Sequence, residues 1–126
     1  MRPIALVVDD SMLIRHTVCR YLEDRGLGVE SATDGLEALE MLKSIRPDII
    51  VTDIQMPKLD GHRLIEVLKS NPETSRIPIV VLAGSSSSMA NTAGTLADYV
   101  ILKTIDIEGQ LQQVLKTAFP NITFSE

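Results

Sequence analysis

Tryptophan is absent from this chain, and two phenylalanines and two tyrosines are its only aromatic side chains. A core built around rings is therefore excluded. It must be assembled from Leu, Ile and Val, within an apolar content of 44%. Cysteine occurs once, as Cys19, so no internal disulfide can form and a reducing compartment is the simpler expectation. Positive charge is in deficit as well: 12 Lys and Arg against 17 Asp and Glu give a net charge of −5. That balance argues against a nucleic-acid surface or an anionic membrane and suits a protein that attracts cations. Long hydrophobic runs are also missing. The only early one, "IALVV", runs straight into two aspartates, which excludes a signal peptide and a membrane span there. The expectation is a soluble, cytoplasmic chain whose 126 residues form one domain able to bury its own core.

Two kinds of segment alternate. Short apolar runs at Ile4–Val8, Ile49–Thr52, Ile79–Leu82 and Tyr99–Leu102, with a weaker one at Val29–Ser31, read as strands. Their lack of polar interruption fits strands covered on both faces, as in a parallel sheet. Between them lie stretches with helical spacing. Ser11 can cap a helix with Ile14, Val18 and Leu22 on its apolar face, ending near Gly26. Asp34 can cap a second through Leu36, Leu39, Leu42 and Ile45, stopped by Pro47. Asp60 or Gly61 opens a third through Leu64, Ile65 and Leu68. The last places Ile107, Leu111, Val114, Leu115 and Ala118 on one stripe. This alternation predicts right-handed βαβ crossovers and a doubly wound α/β sheet. The helix due between the fourth and fifth strands is expected to be weak or irregular, because Ser85–Ser88, Asn91, Thr92 and Gly94 are poor helix formers.

In an open parallel sheet, ligands bind at the carboxyl ends of the strands, near the point where strand order reverses. Asp9 and Asp10 follow the first strand, Asp53 ends the third, and Lys103 follows the fifth. Three carboxylates and an ammonium at one edge are costly for stability alone. A divalent cation relieves the repulsion, and hard oxygen donors favour Mg²⁺. A carboxylate can also attack a phosphoryl group to give an acyl phosphate, with metal and ammonium neutralising the transferred charge. A single acid after a strand is usually only a cap or turn residue. The combination of four is not.

The segments "LVVDDS" (6–11), "DIIVTDIQMPKLDG" (48–61), "IPIVVL" (77–82) and "VILK" (100–103), in this order, resemble a two-component response regulator receiver domain over nearly the whole chain. The resemblance implies a flavodoxin-like (βα)5 fold with sheet order 2-1-3-4-5. It implies that Asp53 accepts a phosphoryl group from a histidine kinase or phosphotransfer protein. Asp10, Asp53 and the backbone carbonyl of Gln55 would bind Mg²⁺ directly, Asp9 through water, and Lys103 would pair with Asp53 and then with a phosphoryl oxygen. Such a protein is a phosphoacceptor switch rather than a turnover enzyme. Residues 1–119 would form the receiver and 120–126 a tail or the start of a linker, too short for an effector domain. A homodimer through the face of the fourth and fifth helices is compatible with the family; the downstream effector is not named by the sequence.

The chain departs from the family pattern at the switch positions. A Thr or Ser normally ends the fourth strand; here Ala83 stands there, followed by Gly84. The four serines of "IVVLAGSSSS" begin two residues too late to replace that hydroxyl directly. The aromatic usually three residues before the lysine is Val100, while Tyr99 precedes it and should face the other way by strand alternation. Thr104 replaces the proline that usually follows the lysine. These changes favour an alternative reading, a receiver that docks a partner whether or not it is phosphorylated. A haloacid-dehalogenase-like phosphatase is set aside, because Gln55 stands where its second acid belongs. His16 and His62 read as surface residues, Cys19 as an unreactive helix residue and the methionines as gap fillers.

Overall fold

The apolar runs become a parallel sheet because each has side chains to bury on both faces. The computed structural model describes residues 2–84 and 97–124. Its elements are β1 (Ile4–Val8), α1 (Met12–Asp24), β2 (Gly28–Ala32), α2 (Gly35–Met41), β3 (Ile49–Asp53), α3 (Gly61–Ser70), β4 (Ile79–Ala83), β5 (Tyr99–Leu102) and α4 (Ile107–Ala118). All strand pairs are parallel, in the order β2-β1-β3-β4-β5. Val7 lies beside Ser31 and Val51, Val51 beside Val80, and Val80 beside Tyr99. The expected flavodoxin-like architecture is therefore present, with strand order reversing at β1. The helix expected between β4 and β5, and with it the dimer face that would use it, lies outside the described residues.

Alternation along the strands divides the core in two. Ala5, Val7, Val51, Val80 and Leu82 pack against Val18 and Leu22 of α1 and Leu111 and Leu115 of α4. Leu6, Val8, Ile50, Ile79 and Val81 pack against Ala38 of α2 and Leu64, Ile65 and Leu68 of α3. The helices begin where capping side chains allow. Ser11, Asp34, Asp60 and Asp106 each accept a backbone N–H, from Ile14, Glu37, Arg63 and Gly109 respectively.

Some local expectations change. The second helix stops at Met41 rather than near Pro47, and Arg46 donates to the carbonyls of Leu42 and Ile45, satisfying acceptors that a longer helix would have used. Tyr21 joins the apolar face of α1, with the Arg25 guanidinium 4.3 Å from its ring centre. Met12 is no gap filler: it is 73% exposed, as is Leu13, at the start of α1. Past α4, Phe119 and Phe124 pack on the first core cluster with ring centres 6.0 Å apart, edge to face. No helix among the described residues is long and apolar enough to cross a membrane.

One close approach sets the position of the β3 end. The Gly61 N–H donates to the Ile54 carbonyl at 2.7 Å, folding the 54–60 loop back onto the strand. A Cβ at Gly61 would collide with the Asp53 carbonyl oxygen and lie 2.7 Å from Ile54 Cα. Only glycine fits without moving backbone. Gly61→Ala is expected to cost about 1–3 kcal/mol, as small-to-large changes in packed sites do. Urea unfolding measures this, and an unchanged midpoint would show that the loop yields freely.

Candidate functional site

Both strands that flank the reversal of strand order deliver an acid to the same edge. Asp9, immediately after β1, is fully buried, and Asp53, the last residue of β3, is 8% exposed. Asp10 is exposed beside them. Carboxylate oxygens from all three lie within 4.8 Å of one another. Lys103 follows β5, and its Nζ stands 3.2 Å from Asp9 Oδ2 and 3.2 Å from Asp53 Oδ2. The four charged residues singled out from sequence thus converge, although they come from three strands.

Neighbouring groups fix each carboxylate. Asp9 Oδ1 accepts the Ser11 N–H at 2.8 Å, while the Asp9 carbonyl accepts from the Arg15 guanidinium at 2.8 Å. Ser11 therefore works twice, as cap of α1 and as donor to Asp9. Asp53 Oδ1 accepts the Ile54 N–H at 2.7 Å, and Thr52 Oγ1 donates to the Asp53 carbonyl. Arg15 and Thr52 were not identified from sequence. Arg15 acts on a carbonyl six residues back, which no short motif reports. Thr52 carried a usable signal: a hydroxyl in an otherwise apolar buried strand needs a partner.

The electrostatics are lopsided. Burial pushes the Asp53 carboxyl above its ordinary value, the Asp9 charge pushes it further, and Lys103 with the Ile54 N–H only partly opposes them. For Lys103 burial works to lower the value, yet Asp9 and Asp53 together outweigh it and hold the ammonium above its ordinary value. Asp9 Oδ2 is buried, and its one close polar neighbour among the described residues is the Lys103 ammonium at 3.2 Å. Oxygen donors alone, an under-satisfied buried oxygen and surplus negative charge fit a hard divalent cation. Asp9, Asp10 and Asp53 are the residues whose carboxylates could hold it.

A recess of about 120 Å³ adjoins Asp53, lined by Ile54, Gln55, Leu82, Ala83, Gly84 and Lys103. Ala83 and Gly84 thus reach the site, and Ala83 brings a buried methyl rather than a hydroxyl. Tyr99 and Val100 do not reach it. Tyr99 packs on the α1 and α4 side of the sheet and Val100 on the opposite side, as strand alternation predicts. His16 is exposed and His62 half-buried, and neither joins the acidic cluster. Cys19 is half-buried, and burial raises its thiol pKa, which suits an inert side chain.

The response regulator receiver domain model matches residues 5–116. Among curated relatives, the response regulator MprA of Mycobacterium ulcerans is 44% identical over 89 residues, which are 71% of this chain and 38% of that protein. The matched chain thus spans well under half of that relative. Among solved structures, the signal receiver domain of a signal transduction histidine kinase from Syntrophus aciditrophicus superposes with a TM-score of 0.85 at 28% identity, covering 98% of this chain and 95% of that one. The receiver domain of the sensor histidine kinase PA1611 from Pseudomonas aeruginosa, which has a magnesium ion coordinated in its active site cleft, gives a TM-score of 0.86 at 21% identity, over 96% and 100% of the two chains. At that identity the likeness concerns the fold alone.

The raised Asp53 value has a consequence for stability. A carboxyl whose folded pKa exceeds its unfolded one stabilises the fold while protonated, and that contribution is lost as pH rises through the folded value. Asp53→Asn is therefore expected to be more stable than wild type at neutral pH in metal-free buffer. The gap should close below about pH 3.5, where aspartate is largely protonated even in the unfolded chain. Urea unfolding of both proteins across this range tests it. No gap at neutral pH, or a gap that widens on acidification, would contradict the stated electrostatics.

Proposed function

Because the chain belongs to the response regulator receiver domain family, we propose that it is a Mg²⁺-dependent phosphoacceptor switch with Asp53 as the acceptor. The observation that carries this reading is the placement of Asp53, nearly buried, within 3.2 Å of the Lys103 ammonium and beside two further carboxylates. The donor would be a phosphohistidine on a histidine kinase or phosphotransfer protein. An Asp53 oxygen attacks phosphorus, the P–N bond breaks, and the imidazole leaves with its electron pair. Burial removes water from the nucleophile and raises its basicity, both of which favour attack.

Asp9, Asp10, Asp53 and the Gln55 carbonyl would hold the metal, which supplies positive charge against the phosphoryl oxygens when bound. Lys103 supplies the second positive charge. Its contact with Asp9 keeps the ammonium at the site while the Asp53 carboxylate it also touches becomes an acyl phosphate. The chain itself does not turn over a substrate; its acyl phosphate is hydrolysed in the same site, which makes the protein a timer. The −5 net charge argues against this domain itself binding nucleic acid or an anionic membrane. The second reading, docking independent of phosphorylation, is supported by the Ala83 methyl in the recess and by Tyr99 lying away from it.

Acetyl phosphate with Mg²⁺ should add one phosphoryl group to the wild-type chain and none to Asp53→Asn, read by intact-protein mass. Omitting the metal should slow the addition strongly. An unchanged wild-type mass would overturn the phosphoacceptor reading and leave the docking reading standing.

A further inference from the structure

Lys103 opens a four-residue turn, 103–106, between the edge strand β5 and α4. The inner side of that turn is tied to the sheet, since the Lys103 N–H donates to the Ala83 carbonyl at 2.8 Å. Among the described residues the outer side has no neighbouring strand, so the Leu102 N–H and carbonyl take partners from elsewhere. The Gln110 side chain, from the first turn of α4, supplies both. Its Oε1 accepts the Leu102 N–H at 2.9 Å, and its Nε2 donates to the Leu102 carbonyl at 2.8 Å. A primary amide carries an acceptor and two N–H donors, so it can stand in for one rung of a strand ladder. The same Nε2 also reaches the Ile105 carbonyl and lies 3.4 Å from that of Asp106. One amide therefore holds the chain on both sides of Lys103.

The rest of the turn needs such a hold. Asp106 sits at a positive φ of 24°, which a non-glycine residue tolerates only under constraint. Its carboxylate caps α4 by accepting the Gly109 N–H at 3.1 Å and fills the space where a Gly109 side chain would stand. The cap fixes the helix end of the turn, and Gln110 fixes the strand end. Between them the Lys103 Cα has little freedom, and its ammonium meets both carboxylates at 3.2 Å.

We propose that Gln110 is a positioning residue for the chemistry at Asp53, acting through the backbone that carries Lys103. The proposal deepens the phosphoacceptor reading and rests on it for the word chemistry; the positioning of the ammonium stands by itself. Water can replace the amide at a sheet edge, so losing Gln110 loosens the turn rather than the fold.

The test compares wild type with Gln110→Met, which keeps length and removes every hydrogen bond. A second variant, Gln110→Glu, keeps an acceptor for Leu102 but turns a negative oxygen toward its carbonyl. The first readout needs no phosphoryl transfer. In an ¹⁵N-lysine NMR spectrum, the Lys103 ammonium, assigned with Lys103→Met, should be protected from solvent exchange in wild type. In both Gln110 variants it should move to the position of a free lysine while the backbone spectrum stays folded. An unchanged Lys103 signal in a folded variant overturns the proposal. The second readout is the rate of phosphorylation by acetyl phosphate. Gln110→Met and Lys103→Met should each lose about tenfold or more, and the double variant should lose no more than Lys103→Met alone. Multiplying losses would show that Gln110 does not act through Lys103, and would likewise overturn it. Failure of wild type to take up phosphate would sink the phosphoacceptor reading, while the ammonium signal would still decide the role of Gln110.

Discussion

Everything at the strand ends turns on one cation placed between two buried anions. Asp9 is fully buried and Asp53 nearly so, and an isolated carboxylate in such surroundings costs several kcal/mol to desolvate. Lys103 lies 3.2 Å from each, so it makes the pair tolerable without neutralising it. Three carboxylates against one ammonium leave two negative charges at the cluster. Burial first and the Asp9 charge second raise the Asp53 value, and the ammonium fails to outweigh them. A folded site that stays two charges short is suited to a divalent cation or to a group that arrives with one. Stability alone would favour one acid fewer.

Holding that arrangement needs backbone precision at the ends of three strands. Two different devices provide it. At β3 the chain uses the absence of a side chain: Gly61 lets the start of α3 press against the Asp53 carbonyl and anchor the 54–60 loop. At β5 it uses a side chain in place of backbone, with Gln110 occupying the ladder position that an edge strand lacks. The first acts on the backbone of Asp53 and the second on the residue before Lys103. Asp9 needs less help, because β1 is central and its exit is already bound by β2 through the Asp9 N–H to the Ala32 carbonyl.

The sequence carried most of the architecture because parallel strands covered on both faces leave uninterrupted apolar runs, and four such runs were plain. It carried the acids and Lys103 because a charge at the end of a buried run is conspicuous. Caps at Ser11, Asp34 and Asp60 were legible for a similar reason: a short polar residue precedes helical spacing. What stayed hidden were side chains that act on backbone distant in sequence. Arg46 ending α2 and Arg15 holding the Asp9 carbonyl belong to that group, and so does Gln110 completing β5. Periodicity reports which face a residue occupies, not which carbonyl its tip will find. Tyr21 belongs here too, since it sits at core spacing three residues after Val18 but an aliphatic stripe does not include a ring with a polar tip.

The departures at Ala83 and Tyr99 bear on what a change at the site can reach. A bound group shifts a conformational equilibrium only through contacts that differ between the two states. Ala83 contributes a methyl to the recess, so the β4 terminus lacks the side-chain hydrogen bond that would otherwise distinguish them. The Lys103 side retains such a contact. Its ammonium touches the Asp53 carboxylate directly, its backbone leads into the turn bonded by Gln110, and α4 packs into the core through Leu111 and Leu115. Tyr99 packs into the same half of the core, on the face shared by α1 and α4. Among the described residues, one packed connection from Asp53 outward therefore runs through Lys103, β5 and α4, beside that through Gly61 and α3. In this chain that connection begins at a salt bridge, the contact of the Lys103 ammonium with Asp53.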